Sequence, residues 1–309
     1  MRSLFVDYGM GHKQTAPSFP LWLAHPSFTS WLGGVRQVAP WFIVLVVLVQ
    51  WALSAFGNLV VAPTGFCQSI HRATDGWVNV TFLNYLPYYA LLGFLAWKVG
   101  RMRWHDLGVS WGRLKWGVVW TLIAWSITQL TPFLFSNDGI EIRPEWNGHA
   151  PHYILDFIEG QFIANALEEE LVFRVFLISQ ITLLLVRSWN VRWTYALVAS
   201  GLVAGVIFSV AHVPHRIIGG VYETPSDVWW DQLNLYLAAI YFTMLFLLTN
   251  NIFIVVGIHA LNNSSPDILR GTDVNFTTVL ILLIFVALAI RRRWKPGDGT
   301  NTADGAPPG

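Results

Sequence analysis

The sequence predicts an all-α membrane protein, a polytopic bundle of about eight transmembrane helices with a polar site in its core. Three observations predict it. Only 12% of the 309 residues are charged while 54% are hydrophobic, against about 25% charged in an ordinary soluble domain. Apolar windows long enough to cross about 30 Å of hydrocarbon at about 1.5 Å per residue recur along the chain. The basic residues fall mostly into alternate connections between those windows, the asymmetry that orients membrane helices. A mean hydropathy of +0.48 and 17 tryptophans, whose indole rings favour the headgroup layer, point the same way.

Taken in order, residues 1–35 form an N-terminal cytoplasmic or interfacial arm. Within it Phe19 to Leu32, with Trp22, Trp31 and two prolines, reads either as a segment lying along the interface or as an irregular arm. Asp7, His12 and Lys13 interrupt the stretch where the apolar core of a cleavable signal would lie, so the first span is expected to direct insertion. The transmembrane domain is expected over residues 36–290. Its windows are Trp41 to Val61, Val78 to Trp97, Trp116 to Phe135, Tyr153 to Val186, Trp193 to Ala211, Trp230 to Leu248, Ile252 to Ser265 and Thr277 to Ile290. The window at Ile252 reaches only about 20 Å, so it is expected to be re-entrant, extended at its ends or sheltered by neighbouring helices. Residues 291–309 begin with Arg291, Arg292, Arg293 and Lys295 and end in a Gly/Pro-rich polar run, which is expected to be disordered.

Eight spans with a cytoplasmic N-terminus place 14 of the 19 Lys and Arg on the inside, and only Arg72, Arg143, Arg216 and Arg270 outside. Both termini are therefore expected to be cytoplasmic. A formal net charge of +1 without a long basic run gives no case for nucleic acid. The single cysteine, Cys67, forms no internal disulfide and reads as incidental. The partners implied are the lipid bilayer and a membrane-associated substrate. Oligomeric state has no signature in the sequence.

One stretch runs against this pattern. "LEEELVFR", residues 167 to 174, places three carboxylates and an arginine inside an apolar window. A charge at bilayer depth costs about 2.5–3.5 kcal/mol on insertion scales, so these groups point to a polar interior rather than a lipid-facing surface. Glu170 and Arg174 are four residues apart with the acid N-terminal, the favourable order on one helix face. Glu169 lies about 100° away around the helix with no arginine in reach, which leaves it free for chemistry. Glu168, about 200° from Glu170, is expected to face a water-filled loop. Two further spans carry polar groups at four-residue spacing: Phe208 and His212 in "FSVAH", and His259 and Asn263 in "HALNN". Each alone is commoner as a packing residue. Together they supply the strongly polar groups available to converge in one bundle, on the side away from the basic connections.

A desolvated glutamate takes a proton from water near neutral pH, and a neighbouring histidine orients that water or protonates a leaving amine. Asn263 and His259 are suited to donate to the oxyanion formed when water attacks a carbonyl. No serine or cysteine stands at a recognisable spacing from a histidine, which argues against an acyl-enzyme. The same groups, Glu169, His212 and His259, would also serve as ligands for a divalent metal such as zinc with one position open to water. The helix-borne H-E-x-x-H pair of zinc peptidases is not in the sequence. Metal-free and metal-assisted hydrolysis both remain open at this point.

Glu169 to Arg174 ("EELVFR"), Phe208 to His212 ("FSVAH") and His259 to Asn263 ("HALNN") together resemble the three motifs E-E-x-x-x-R, F-x-x-x-H and H-x-x-x-N. These belong to the CPBP intramembrane proteases, the family of CAAX prenyl endopeptidases and bacteriocin-immunity proteins. The resemblance covers residues 103–264, beginning ahead of "DLGVSW". It implies an intramembrane endopeptidase, glutamic or metallo, acting on a membrane-embedded or lipidated protein in a bacterial or archaeal plasma membrane. It implies that Glu169 and His212 activate water, that His259 and Asn263 bind the oxyanion, and that Glu170, Arg174 and Phe208 support the site. Val175 stands where a glycine is usual, and His215 adds an imidazole. The competing readings are a non-catalytic scaffold or immunity protein that keeps the fold, and a proton-coupled transporter, whose relay needs no amide one turn from a histidine.

Overall fold

The computed structural model describes residues 26–135, 141–146 and 150–269. Among these every regular element is a helix, and one isolated bridge pairs Ile142 with Leu269. The expected span at Thr277 to Ile290 and the tail lie outside the described residues, as do residues 1–25.

The first helix, α1 (Pro26–Gly34), corrects part of the arm reading. Phe28 and Leu32 are buried, and Phe28 and Trp31 set their rings 5.5 and 5.9 Å from Phe246, so this piece of the chain is built into the core. The α2 helix (Pro40–Phe56) opens on a proline, whose missing N–H costs nothing in a first turn. It runs on through a π-helical turn and a 3-10 turn to Gly65, whose φ of 67° ends the run. The short α3 (Phe66–Ala73) leads to α4 (Val80–Phe94), capped by Asn79, whose side chain accepts from the N–H groups of Thr81 and Phe82. The α5 helix spans Trp111–Phe135.

The site-bearing part of the chain is one long helical run from Ala150 to Trp189. It comprises α6 (Ala150–Asp156), a π-helical stretch Phe157–Ala166, α7 (Leu167–Glu170), a second π-helical stretch Leu171–Leu177, and α8 (Ile178–Trp189). The three glutamates thus occupy a single α turn between two widened ones. Beyond it come α9 (Trp193–Ala211), α10 (Val213–Ile218), α11 (Pro225–Thr249) and α12 (Ile252–Asn263). The start of α11 is set by a capping box between Thr224 and Asp227.

All seven apolar windows within the described residues are helical. By length and apolarity four helices among the described residues qualify as spans: Pro40–Thr64, Ala150–Trp189, Trp193–Ile218 and Pro225–Thr249. The Tyr-rich α4 and the Trp- and Thr-bearing α5 are less apolar. The chain is an integral membrane protein of all-α class. The connections at one end are pinned together through basic residues, with Arg36 donating to the Arg101 carbonyl at 2.6 Å and Asn251 to the Arg113 carbonyl at 2.9 Å. The other end gathers acids, including Asp156 and Glu159 around Asn79 and Asp267 beside Arg143.

The short window becomes α12, sheltered as expected: Ile252, Phe253 and Val255 through Leu261 are all buried. Its close approach to α5 is possible because Gly117 and Gly257 lack side chains. A Cβ on the first would run into Phe253, and a Cβ on the second into Thr121.

Candidate active site

Three helical runs bring Glu169, His212 and His259 together. Glu169 hangs from α7, His212 follows the last residue of α9, and His259 sits in the middle of α12. The Oε1 atom of Glu169 lies 3.8 Å from Nε2 of His212, and its Oε2 lies 3.7 Å from Nε2 of His259. One carboxylate thus faces two imidazoles, one oxygen to each.

The far sides of the two rings differ. Nδ1 of His212 lies 2.9 Å from the Phe208 carbonyl, one turn back on α9. A carbonyl only accepts, so Nδ1 carries the proton, and in the neutral ring Nε2 is the nitrogen with the lone pair, turned toward Glu169. Nδ1 of His259 lies 2.7 Å from Oε1 of Glu170, and the ring stacks on Phe242 with centroids 4.5 Å apart. The other oxygen of Glu170 forms an ion pair with Nε of Arg174 at 3.1 Å, on the face the four-residue spacing predicts. The guanidinium lies over the rings of Phe208 and Phe242, at 4.5 and 5.4 Å from their centroids. Phe208 therefore supports the site twice, through its carbonyl under His212 and its ring under Arg174.

These groups are deeply enclosed. Glu170 and Arg174 are 0% and 1% exposed, Glu169 7% and His259 3%. His212 is only partly buried, which marks it as the side from which the cluster is reached. Asn263 ends α12 one turn beyond His259 and is exposed; the described contacts do not join it to Glu169 or His212.

Glu168 is a correction. It is 3% exposed rather than facing a water-filled loop, because α2 packs over it and Gln50 donates to its Oε2 at 3.1 Å. Two groups at the centre carried no motif. The Tyr85 hydroxyl, from α4, lies 3.0 Å from Oδ1 of Asn165 and 3.4 Å from Oε1 of Glu169. Tyr89, one turn on, donates to the carbonyls of Ile163 and Ala164 in the π-helical stretch, where widened turns leave carbonyls in need of partners. A polar residue recurring on one face of an apolar window, Tyr85 with Tyr88 and Tyr89, was the available signal. His215 bonds to Asn58 at 3.0 Å and is exposed.

Glu169, His212 and His259 are the groups that would hold zinc. Two imidazole nitrogens and a carboxylate are suitable ligand types, yet among the described residues no three His, Cys, Asp or Glu side chains are disposed to hold a metal ion.

Fold and site together define a helical membrane protein with a buried acid and imidazole cluster able to polarise water. Residues 152–265 match the family model of the Type II CAAX prenyl endopeptidases, Rce1-like. The matched segment runs from α6 to just past α12 and contains all three motifs, so over this segment the chain is similar to the CAAX-type intramembrane endopeptidases. No curated protein and no solved structure matches the chain.

Proposed function

We propose that the protein is an intramembrane endopeptidase in which Glu169 and His212 activate a water molecule for attack on a peptide bond of a membrane-associated or lipidated protein. The observation that carries this reading is the placement of Glu169 between two Nε2 atoms at 3.8 and 3.7 Å. The carboxylate and the His212 lone pair are both acceptors, and a space between two acceptors is filled favourably by a molecule with two protons to give. A water there donates one hydrogen to Glu169 and the other to His212, which turns its lone pair toward an incoming carbonyl carbon. Attack moves the water's proton to Glu169, and that proton then serves the leaving amine.

His259 has the complementary role. Its Nδ1 faces a carboxylate rather than a carbonyl, which suits the ring to donate from Nε2 to the oxyanion that builds on the attacked carbonyl. Asn263, one turn along α12, is the second proposed donor. Glu170 and Arg174 hold His259 in place and neutralise each other. The three-motif segment and its family support a membrane-associated or lipidated substrate, and the enclosure of the cluster supports catalysis at membrane depth.

The test is cleavage of a fluorogenic peptide carrying a farnesylated cysteine near its C-terminus, by the full chain reconstituted in lipid vesicles. Glu169→Ala, Glu170→Ala and His212→Ala are each expected to abolish cleavage. Undiminished cleavage by all three overturns the proposal.

A further inference from the structure

We propose that Tyr85, seated on Asn165, is a positioning residue that holds the Glu169 carboxylate in its working orientation, so that the site is completed from outside the family-matched segment. The inference deepens the proposed hydrolysis and rests on that reading.

A glutamate side chain has three rotatable bonds, and a base in a hydrolytic site works only if its oxygens stay within a fraction of an ångström of the water they deprotonate. The two imidazoles do not supply that restraint, because 3.8 and 3.7 Å are too long for direct hydrogen bonds. Glu170 is engaged elsewhere, with Arg174 and His259. Among the described residues the Tyr85 hydroxyl is the one group within hydrogen-bond reach of the Glu169 carboxylate, at 3.4 Å, and it meets Oε1, the oxygen that also faces His212.

The phenol is itself held from two sides. Asn165, four residues before Glu169 on the same helical run, lies 3.0 Å from its oxygen. The ring stacks on Tyr88 with centroids 4.7 Å apart and planes 21° from parallel. A phenol has one proton and here two acceptors within reach, and a carboxylate is the stronger acceptor, so the proton turns to Glu169 when that group is ionised. Asn165 keeps the oxygen in place in either state, since its amide can present a donor or an acceptor. The helix carrying this ring, α4, ends before the matched residues 152–265 begin. The catalytic motifs on α7, α9 and α12 thus depend on a fourth helix that no motif marks.

The experiment compares the reconstituted wild type with Tyr85→Phe, Asn165→Ala and Glu169→Gln on the farnesylated fluorogenic peptide, together with the melting temperature of each. Tyr85→Phe keeps the ring and its stack and removes only the hydroxyl. The expected result is a fall in kcat of about tenfold or more with KM and melting temperature close to wild type, and a smaller fall in the same direction for Asn165→Ala. A Tyr85→Phe enzyme with wild-type kcat overturns the inference. So does a loss confined to KM, which would make Tyr85 a substrate contact, or one matched by a collapse in melting temperature, which would make it structural. A wild type that cleaves nothing, or a Glu169→Gln variant that cleaves normally, overturns the hydrolytic reading and this inference with it.

Discussion

Oε1 of Glu170 lies 2.7 Å from Nδ1 of His259, while the other oxygen of the same carboxylate meets Arg174 at 3.1 Å. Glu170 therefore ties the third motif to the buried cation of the first, and its loss has two consequences of different kinds. Arg174 would be left as an uncompensated charge at 1% exposure, which costs about 3–5 kcal/mol when one partner of a buried pair is removed. His259 would lose the group that orients it. Glu170→Ala is expected to lower the melting temperature strongly and to abolish cleavage. Glu170→Gln with Arg174→Met, which removes both charges, is expected to recover much of the melting temperature. Thermal unfolding of the wild type and both variants in detergent checks this; a double variant no more stable than Glu170→Ala would contradict it.

The three adjacent glutamates are expected to separate cleanly in kinetics. Glu168 is buried against Gln50 and makes no described contact with either histidine, whereas Glu169 faces both. Glu168→Gln, which can still bond to Gln50, should retain most of its kcat. Glu169→Gln should lose about 10²- to 10⁴-fold, the span typical of a positioned general base. Steady-state cleavage of the farnesylated peptide measures both, and equal losses would show that the register has been misassigned.

How much of this was legible in the sequence follows from the range of each interaction. The Glu170 to Arg174 pair and the Phe208 to His212 bond lie within one helical turn, so residue spacing alone predicts them. The partnership of Glu170 with His259 spans 89 residues, and no local pattern encodes it. Glu168 was misplaced for the same reason, since its partner Gln50 is 118 residues away. Two further misses have a different cause. The π-helical stretches on both sides of α7 leave no compositional trace, because widening a turn changes hydrogen bonding and not residue type. The aromatic residues of α1 suit a headgroup layer and a protein core equally well, and only packing against Phe246 decides between them.

Chelation separates the two hydrolytic chemistries that the sequence left open. The acid and imidazole groups at the site are not disposed as a metal-holding set among the described residues, and the proposed water is polarised by Glu169 and His212 alone. Exhaustive treatment with a zinc chelator followed by removal of the chelate is expected to leave kcat unchanged. Elemental analysis of the active protein should find well under one zinc per chain. Loss of activity that returns on adding zinc would replace the metal-free step with a metal-assisted one on the same residues.

The contact between α12 and α5 gives a way to move the site without touching it. Gly257 precedes His259 by two residues and stands against Thr121, so a Cβ there would collide with the hydroxyl and lie 2.8 Å from the Thr121 Cβ. Backbone on one side and a β-branched side chain on the other leave little to yield except the helix itself. Gly257→Ala is therefore expected to push α12 away from α5, costing about 1–3 kcal/mol and drawing His259 from its 2.7 Å contact with Glu170. Cleavage should fall by more than the drop in stability accounts for, because the proposed oxyanion donor is displaced while the chain remains folded. Thr121→Gly clears the space that the new methyl needs, so the double variant is expected to regain cleavage that Gly257→Ala alone has lost. If Gly257→Ala cleaves at the wild-type rate, the position of α12 does not set the geometry of His259.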